Sequence, residues 1–198
     1  MTRDWVDWHR AYDEPGSRLS QRLAVVQGFV REALDGGAHR VVSLCAGEAR
    51  DLLGVVGDRP VTGRLVELEP VLAARARAAA PPGIEVVEAD AGDTSSLAGA
   101  VPADLVLLCG IFGNVRDADV ERTCRLAPML CAPGAVVVWT RHTTPPDLNR
   151  SIERWLEESG FGEVAVVGPP DLGYGVGRAR LVSDPVPFRA GVRLFRFG

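Results

Sequence analysis

From position 40 onward, short apolar runs alternate with longer stretches whose apolar residues return every three or four positions, the pattern of strand–helix–strand units around a parallel sheet. The first run is Val41 to Leu44, followed by a helical stretch from Arg50 to Val56. The second is Arg64 to Leu68; Pro70 then opens an Ala/Arg-rich helix to Ala80, and Pro81-Pro82-Gly83 stops it. Ile84 to Val87, Asp104 to Cys109 and Val136 to Thr140 supply three more strands, each bounded by Gly, Pro or Asp. Runs so continuously apolar are expected to be covered on both faces.

The pattern changes at both ends. Pro146 to Ser159 predicts a helix ending at Gly160, followed by strand-like Glu163 to Val167 and Val192 to Phe197. Between the two lies a Gly/Pro-rich stretch, GPPDLGYGVGRARLVSDPVPFRAG, long enough to predict a functional or mobile loop. Ahead of the sheet, DWVDWHRAYDEPGS precedes an amphipathic helix from Arg18 to Leu34, so residues 1–35 are expected to form a helical cap or lid on a domain spanning 36–198.

Composition narrows the chemistry. A chain of 198 residues, 46% hydrophobic, suffices for one full core. Its net charge of -4 argues against nucleic acid. All 22 basic residues are Arg, which excludes Schiff-base chemistry, a P-loop lysine and a lysine base. The four cysteines follow no metal-ligand spacing and read as reduced, buried thiols of a cytoplasmic protein; no metal is expected. Charges and tryptophans stand where a signal peptide needs an apolar core, and no run reaches membrane-span length.

Candidate chemistry collects where the first strand ends, in SLCAGEARD, because strand carboxyl ends and helix N-termini converge there. Glu67 lies 20 residues after Gly47, at the end of the second strand, the spacing at which an acid meets a nucleotide ribose. Glu69 competes for the role; closeness to the strand end favours Glu67. His142 follows the fifth strand at the same sheet edge, with Arg141 beside it, and is the first candidate for a general base. His9 is the second, with Trp5, Trp8 and Tyr12 near it as an aromatic lid over an acceptor.

In these pieces the chain resembles the class I S-adenosylmethionine-dependent methyltransferases, in order over about residues 40 to 140. SLCAGEARD matches the glycine-rich first motif, which places Cys45, Ala46 and Gly47 on the cofactor, and GRLVELEP matches the strand ending in an acid, with Glu67 and Leu68. IEVVEADAGD sets Asp90 and Ala91 against adenine; ADLVLLCGIFGNV sets Cys109 and Gly110 beneath the reactive sulfonium, with Phe112 and Asn114 toward the acceptor. LAPMLCAPGAVVVWT resembles the helix, Pro-Gly turn and fifth strand that follow. The resemblance implies a Rossmann-like three-layer α/β sandwich with a mostly parallel seven-stranded sheet whose last strand is antiparallel. It also implies transfer of the methyl group of S-adenosylmethionine, leaving S-adenosylhomocysteine, to oxygen or nitrogen of a small-molecule acceptor by a monomer or homodimer.

Three departures matter: the usual acid of the first motif is Ser43, and its first and third glycines are Cys45 and Ala49. Glu48 or Arg50 would then have to supply the contact Ser43 lacks. The competing readings are a nicotinamide-dependent oxidoreductase, which the missing GxGxxG and the acid Glu48 oppose, and a non-catalytic adenosylmethionine binder.

Overall fold

The computed structural model describes residues 4–168 and 172–197. Its seven strands form one sheet in the order β3-β2-β1-β4-β5-β7-β6. Strands β1 (Arg40–Leu44), β2 (Thr62–Glu67), β3 (Ile84–Glu88), β4 (Ala103–Leu108) and β5 (Cys131–His142) are mutually parallel. The last two, β6 (Phe161–Val167) and β7 (Tyr174–Leu181), extend the sheet beyond β5, with β7 inserted antiparallel to both neighbours. From β1 the chain winds outward to β3, then returns to β4 on the other side. A crevice therefore opens between the carboxyl ends of β1 and β4, where open α/β sheets hold ligands.

Alternation along the strands feeds two cores. Val41 and Leu65 face one side, where helices α2 (Arg18–Asp35), α3 (Arg50–Leu53) and α4 (Pro70–Ala79) pack through Val26, Leu52 and Ala73. Val42, Leu44 and Val66 face the other, covered by α5 (Asp117–Leu126) and α6 (Asn149–Glu158) through Val120 and Ile152. Local chemistry sets the helix starts: the Ser17 hydroxyl accepts from Ser20 N–H at 3.0 Å to cap α2, and Pro70 occupies the first turn of α4. A short helix α1 (Trp5–His9) and a 3-10 turn at Arg10–Tyr12 precede α2.

The end of the chain corrects the sequence expectation. The seventh strand, Tyr174–Leu181, lies inside the stretch read as a loop, of which 169–171 fall outside the described residues. Its glycines, which make it look unlike a strand, are needed for packing: a Cβ on Gly177 would stand 2.1 Å from the Trp139 ring. Val192 to Phe197, read as a strand, joins no sheet and makes only isolated bridges, Asp93 to Arg193 and Val115 to Phe197. Its apolar residues do not alternate between two faces: the neighbours Leu194 and Phe195 are both buried against the α5 side of the sheet. The helix expected from Pro146 begins instead at Asn149, and β5 runs longer at both ends than Val136 to Thr140.

Candidate functional site

The loop after β1 takes left-handed backbone at alternate residues, with φ of +55° at Cys45, +57° at Gly47 and +55° at Ala49. Cys45 and Ala49 keep a shape that glycine adopts without strain, so the departures from the glycine pattern leave the backbone intact. The turn brings Gly47 N–H to the Glu67 carboxylate at 2.6 Å, while the other Glu67 oxygen accepts from Glu69 N–H at 2.8 Å. Glu67 thus ties the β1 loop to the end of β2, and each oxygen retains a second acceptor position. Glu69 instead caps α4, accepting from Val71 N–H at 3.4 Å.

Above this junction lies a cavity of about 260 Å³ at the carboxyl ends of β1 to β5. Cys45, Ala46, Glu67, Leu68, Asp90 and Ala91 line its β2–β3 half. Cys109, Gly110 and Thr140 line the other half, and the Thr140 hydroxyl accepts from Gly110 N–H at 2.8 Å. Burial, reinforced by Glu67, pushes the Cys45 thiol well above its ordinary range; burial and Asp51 do the same to Cys109, so neither is a nucleophile.

The roof comes from the N-terminal helices. Trp5, Trp8, His9 and Tyr12 line the cavity, joined by Phe197, whose ring meets Trp5 edge to face at 6.0 Å between centroids. His9 Nδ1 lies 2.7 Å from the Trp5 carbonyl and donates to it, which in the neutral ring places the lone pair on Nε2. That nitrogen sits directly over Gly47, where a Cβ would come within 2.3 Å of it.

Two charged cavity residues escaped the sequence reading. Arg22, on α2, donates to the Tyr12 hydroxyl at 2.8 Å and lies 5.6 Å from the Trp8 ring, without an ion pair among the described residues. Asp51, in the first turn of α3, has its carboxyl pushed up to about 6 by burial, against the opposing pull of the Leu52 N–H and the Arg22 charge. Glu48 and Arg50, the residues expected to supply a missing contact, are committed elsewhere: Glu48 pairs with Arg50 at 2.6 Å and Arg75 at 2.7 Å, and Arg50 also pairs with Asp13 at 2.6 Å.

The remaining sequence candidates stand behind the β4–β5 wall, outside the cavity lining. His142 packs its ring against Gly113, with Nδ1 3.2 Å from the Thr144 carbonyl. Arg141 is buried and donates to the Phe112 carbonyl, while Asn114 donates to the Gly110 carbonyl at 2.7 Å. Beyond the end of β3, Asp90 accepts from Gly92 N–H at 2.8 Å and from Arg193 at 2.5 Å.

No family model matches the sequence, and no curated protein matches it. Solved structures do. An O-methyltransferase family protein from Burkholderia thailandensis superimposes with TM-score 0.66 at 19% identity over 83% of this chain, which spans only 57% of that protein's length. The 1,6-didemethyltoxoflavin-N1-methyltransferase of Burkholderia thailandensis, with bound 1,6-didemethyltoxoflavin and S-adenosylhomocysteine, matches with TM-score 0.66 at 16% identity over 90% of this chain and 87% of that one. NodS, an N-methyltransferase from Bradyrhizobium japonicum WM9 in complex with S-adenosylhomocysteine, matches with TM-score 0.64 at 20% identity over 88% and 91%. The chain has the fold of the class I S-adenosylmethionine-dependent methyltransferases. Among the described residues no helix is long and apolar enough to cross a membrane.

Proposed function

We propose that this protein is an enzyme that transfers the methyl group of S-adenosylmethionine to a hydroxyl or amine of a small molecule. The observation that carries the reading is the Glu67 carboxylate, held at the cavity wall by two backbone N–H groups with acceptor capacity left for the two hydroxyls of a ribose. Asp90 and Ala91, one strand further out, receive the adenine. The amino-acid end of the donor then runs the other way, toward Arg22 and Asp51, whose opposite charges suit a carboxylate and an ammonium. Free thiols at all four cysteines fit a reducing compartment, and we place the activity in the cytoplasm.

The bound donor supplies an electrophilic methyl on a sulfonium. The protein's own task is to align an acceptor and exclude water, which suits the aromatic roof of Trp5, Trp8, Tyr12 and Phe197. Of the two histidines, His9 lines the cavity and His142 does not, and we assign the acceptor's proton to His9; His142 is the control.

S-adenosylmethionine or S-adenosylhomocysteine at about 100 times its dissociation constant should stabilise the fold by about 2.7 kcal/mol, whereas NAD and NADP should give no shift. Absence of any thermal or calorimetric response to the sulfur nucleosides would overturn the reading. With an acceptor found in a metabolite panel, His9→Ala should slow turnover by about 10²–10⁴-fold and His142→Ala should not; the reverse result moves the base to the β5 end.

A further inference from the structure

We propose that Arg193, on the segment that follows β7, is a positioning residue for adenine: it fixes the Asp90 carboxylate so that the site distinguishes adenine from hypoxanthine. The inference rests on the donor reading above and adds to it a segment outside the sheet.

Asp90 is half-exposed at the end of β3, where a carboxylate would otherwise rotate freely. Two donors hold it, one on each oxygen: Gly92 N–H at 2.8 Å and Arg193 Nη1 at 2.5 Å, with Arg193 Nη2 a further 3.4 Å from Asp93. A carboxylate gripped at both oxygens presents its remaining lone pairs in one direction.

The grip does not depend on Arg193 to dock the segment. Leu194 and Phe195 are buried, Leu194 N–H donates to the Gly92 carbonyl at 2.8 Å, and Val192 N–H donates to the Thr94 hydroxyl at 2.9 Å. Gly92 is what allows the approach, since a Cβ there would stand 2.3 Å from the Phe195 carbonyl oxygen. The same segment carries Phe197 into the cavity roof. Replacing Arg193 therefore frees Asp90 while leaving the segment in place.

The chemistry of the bases makes that difference readable. Adenine offers an exocyclic amine, a donor, beside an acceptor ring nitrogen; hypoxanthine offers a carbonyl oxygen beside a ring N–H. A fixed carboxylate aimed at the amine meets an oxygen in hypoxanthine, whereas a mobile one swings to the ring N–H and tolerates both.

The test is calorimetric binding of S-adenosylhomocysteine and S-inosylhomocysteine to the full chain, with thermal melting to confirm folding. The parent should favour the adenine compound by about tenfold or more. Arg193→Met should cut that ratio to about threefold or less, chiefly by improving relative tolerance of the inosine compound, and Arg193→Lys should restore most of it. Asp90→Ala should bring the ratio close to one, and adding Arg193→Met to it should change nothing further. An Arg193→Met protein with the parental ratio, or one that binds the adenine compound more tightly because Arg193 had been competing for Asp90, overturns the proposal. A parent that binds neither compound overturns the donor reading itself, and this inference with it.

Discussion

The two halves of the cavity are built on different principles. On the β2–β3 side the carboxylates are already engaged by the protein: Glu67 by two backbone N–H groups, Glu69 by Val71 N–H, and Asp90 by Gly92 and Arg193. On the other side Asp51 and Arg22 face the same space without forming an ion pair with each other, and burial raises the Asp51 carboxyl to about 6, so that it is charged at pH 7 but titrates just below it. The first half is preorganised, so that the nucleoside of the proposed donor would find its acceptors in place. The second half keeps two charges waiting, and a zwitterionic group entering there would give each a partner. On the proposed reading, specificity for the nucleoside would reside in rigid geometry, and recognition of the amino-acid end in electrostatics that respond to conditions.

Glu67→Ala should give the largest effect, because charged hydrogen bonds of about 1.5–3 kcal/mol each would be lost to two ribose hydroxyls, weakening S-adenosylhomocysteine binding by at least a hundredfold in calorimetry. The same change orphans Gly47 N–H and Glu69 N–H, so denaturant unfolding should show a loss of about 1–3 kcal/mol. Unchanged affinity would erase the distinction between the halves. Arg22→Met should weaken S-adenosylhomocysteine by about tenfold to a hundredfold yet leave 5′-methylthioadenosine, which lacks the amino-acid end, unaffected. Equal losses for both ligands would make Arg22 a packing residue only.

A smaller effect separates the halves by pH. The folded Asp51 carboxyl titrates at about 6, above its ordinary 3.8, so it is ionised at pH 7 and protonates as pH falls through 6. Pairing with an ammonium is present above that point and lost below it, and S-adenosylhomocysteine affinity should fall about tenfold between pH 7 and pH 5. The ligand-free fold should move the opposite way, gaining stability over the window between about 6 and 3.8, because the folded state takes up the proton first. Asp51→Asn should abolish both trends; a pH dependence that survives the substitution belongs to another group. The smallest expected change is Trp5→Ala, which removes two edge-to-face pairs, with Trp8 and Phe197, worth about 0.5–1.5 kcal/mol each, and should speed ligand release a few-fold in stopped flow.

The parallel half of the sheet was legible in the sequence because doubly covered strands are nearly pure apolar runs, and Glu67 was legible because its distance from Gly47 is set by one strand–helix–strand unit. The antiparallel insertion was not. Tyr174–Leu181 carries Gly175, Gly177, Arg178 and Arg180, a composition dictated by the Trp139 ring beneath it and by its neighbours Phe29 and Glu163 rather than by strand propensity. Val192 to Phe197 misled for the converse reason, since a short apolar-rich run reports burial without saying whether strand pairing or docking onto a packed layer provides it. Asp51 and Arg22 gave no signal: an acid in a first helical turn and an arginine on an amphipathic helix are ordinary there, and only the folded cavity brings them together.

Trp5 and Phe197 touch across almost the entire length of the chain. Such a contact closes a loop of nearly all the described residues, and the entropy of that closure opposes it. Helix α1 moreover has no fully buried residue to hold it by itself. We therefore expect the seam over the cavity to open at a lower free energy than the sheet. Amide exchange should find α1 frayed on a timescale at which β1 and β4 remain fully protected, so that ligand traffic needs no hinge beyond the weakness of this one closure.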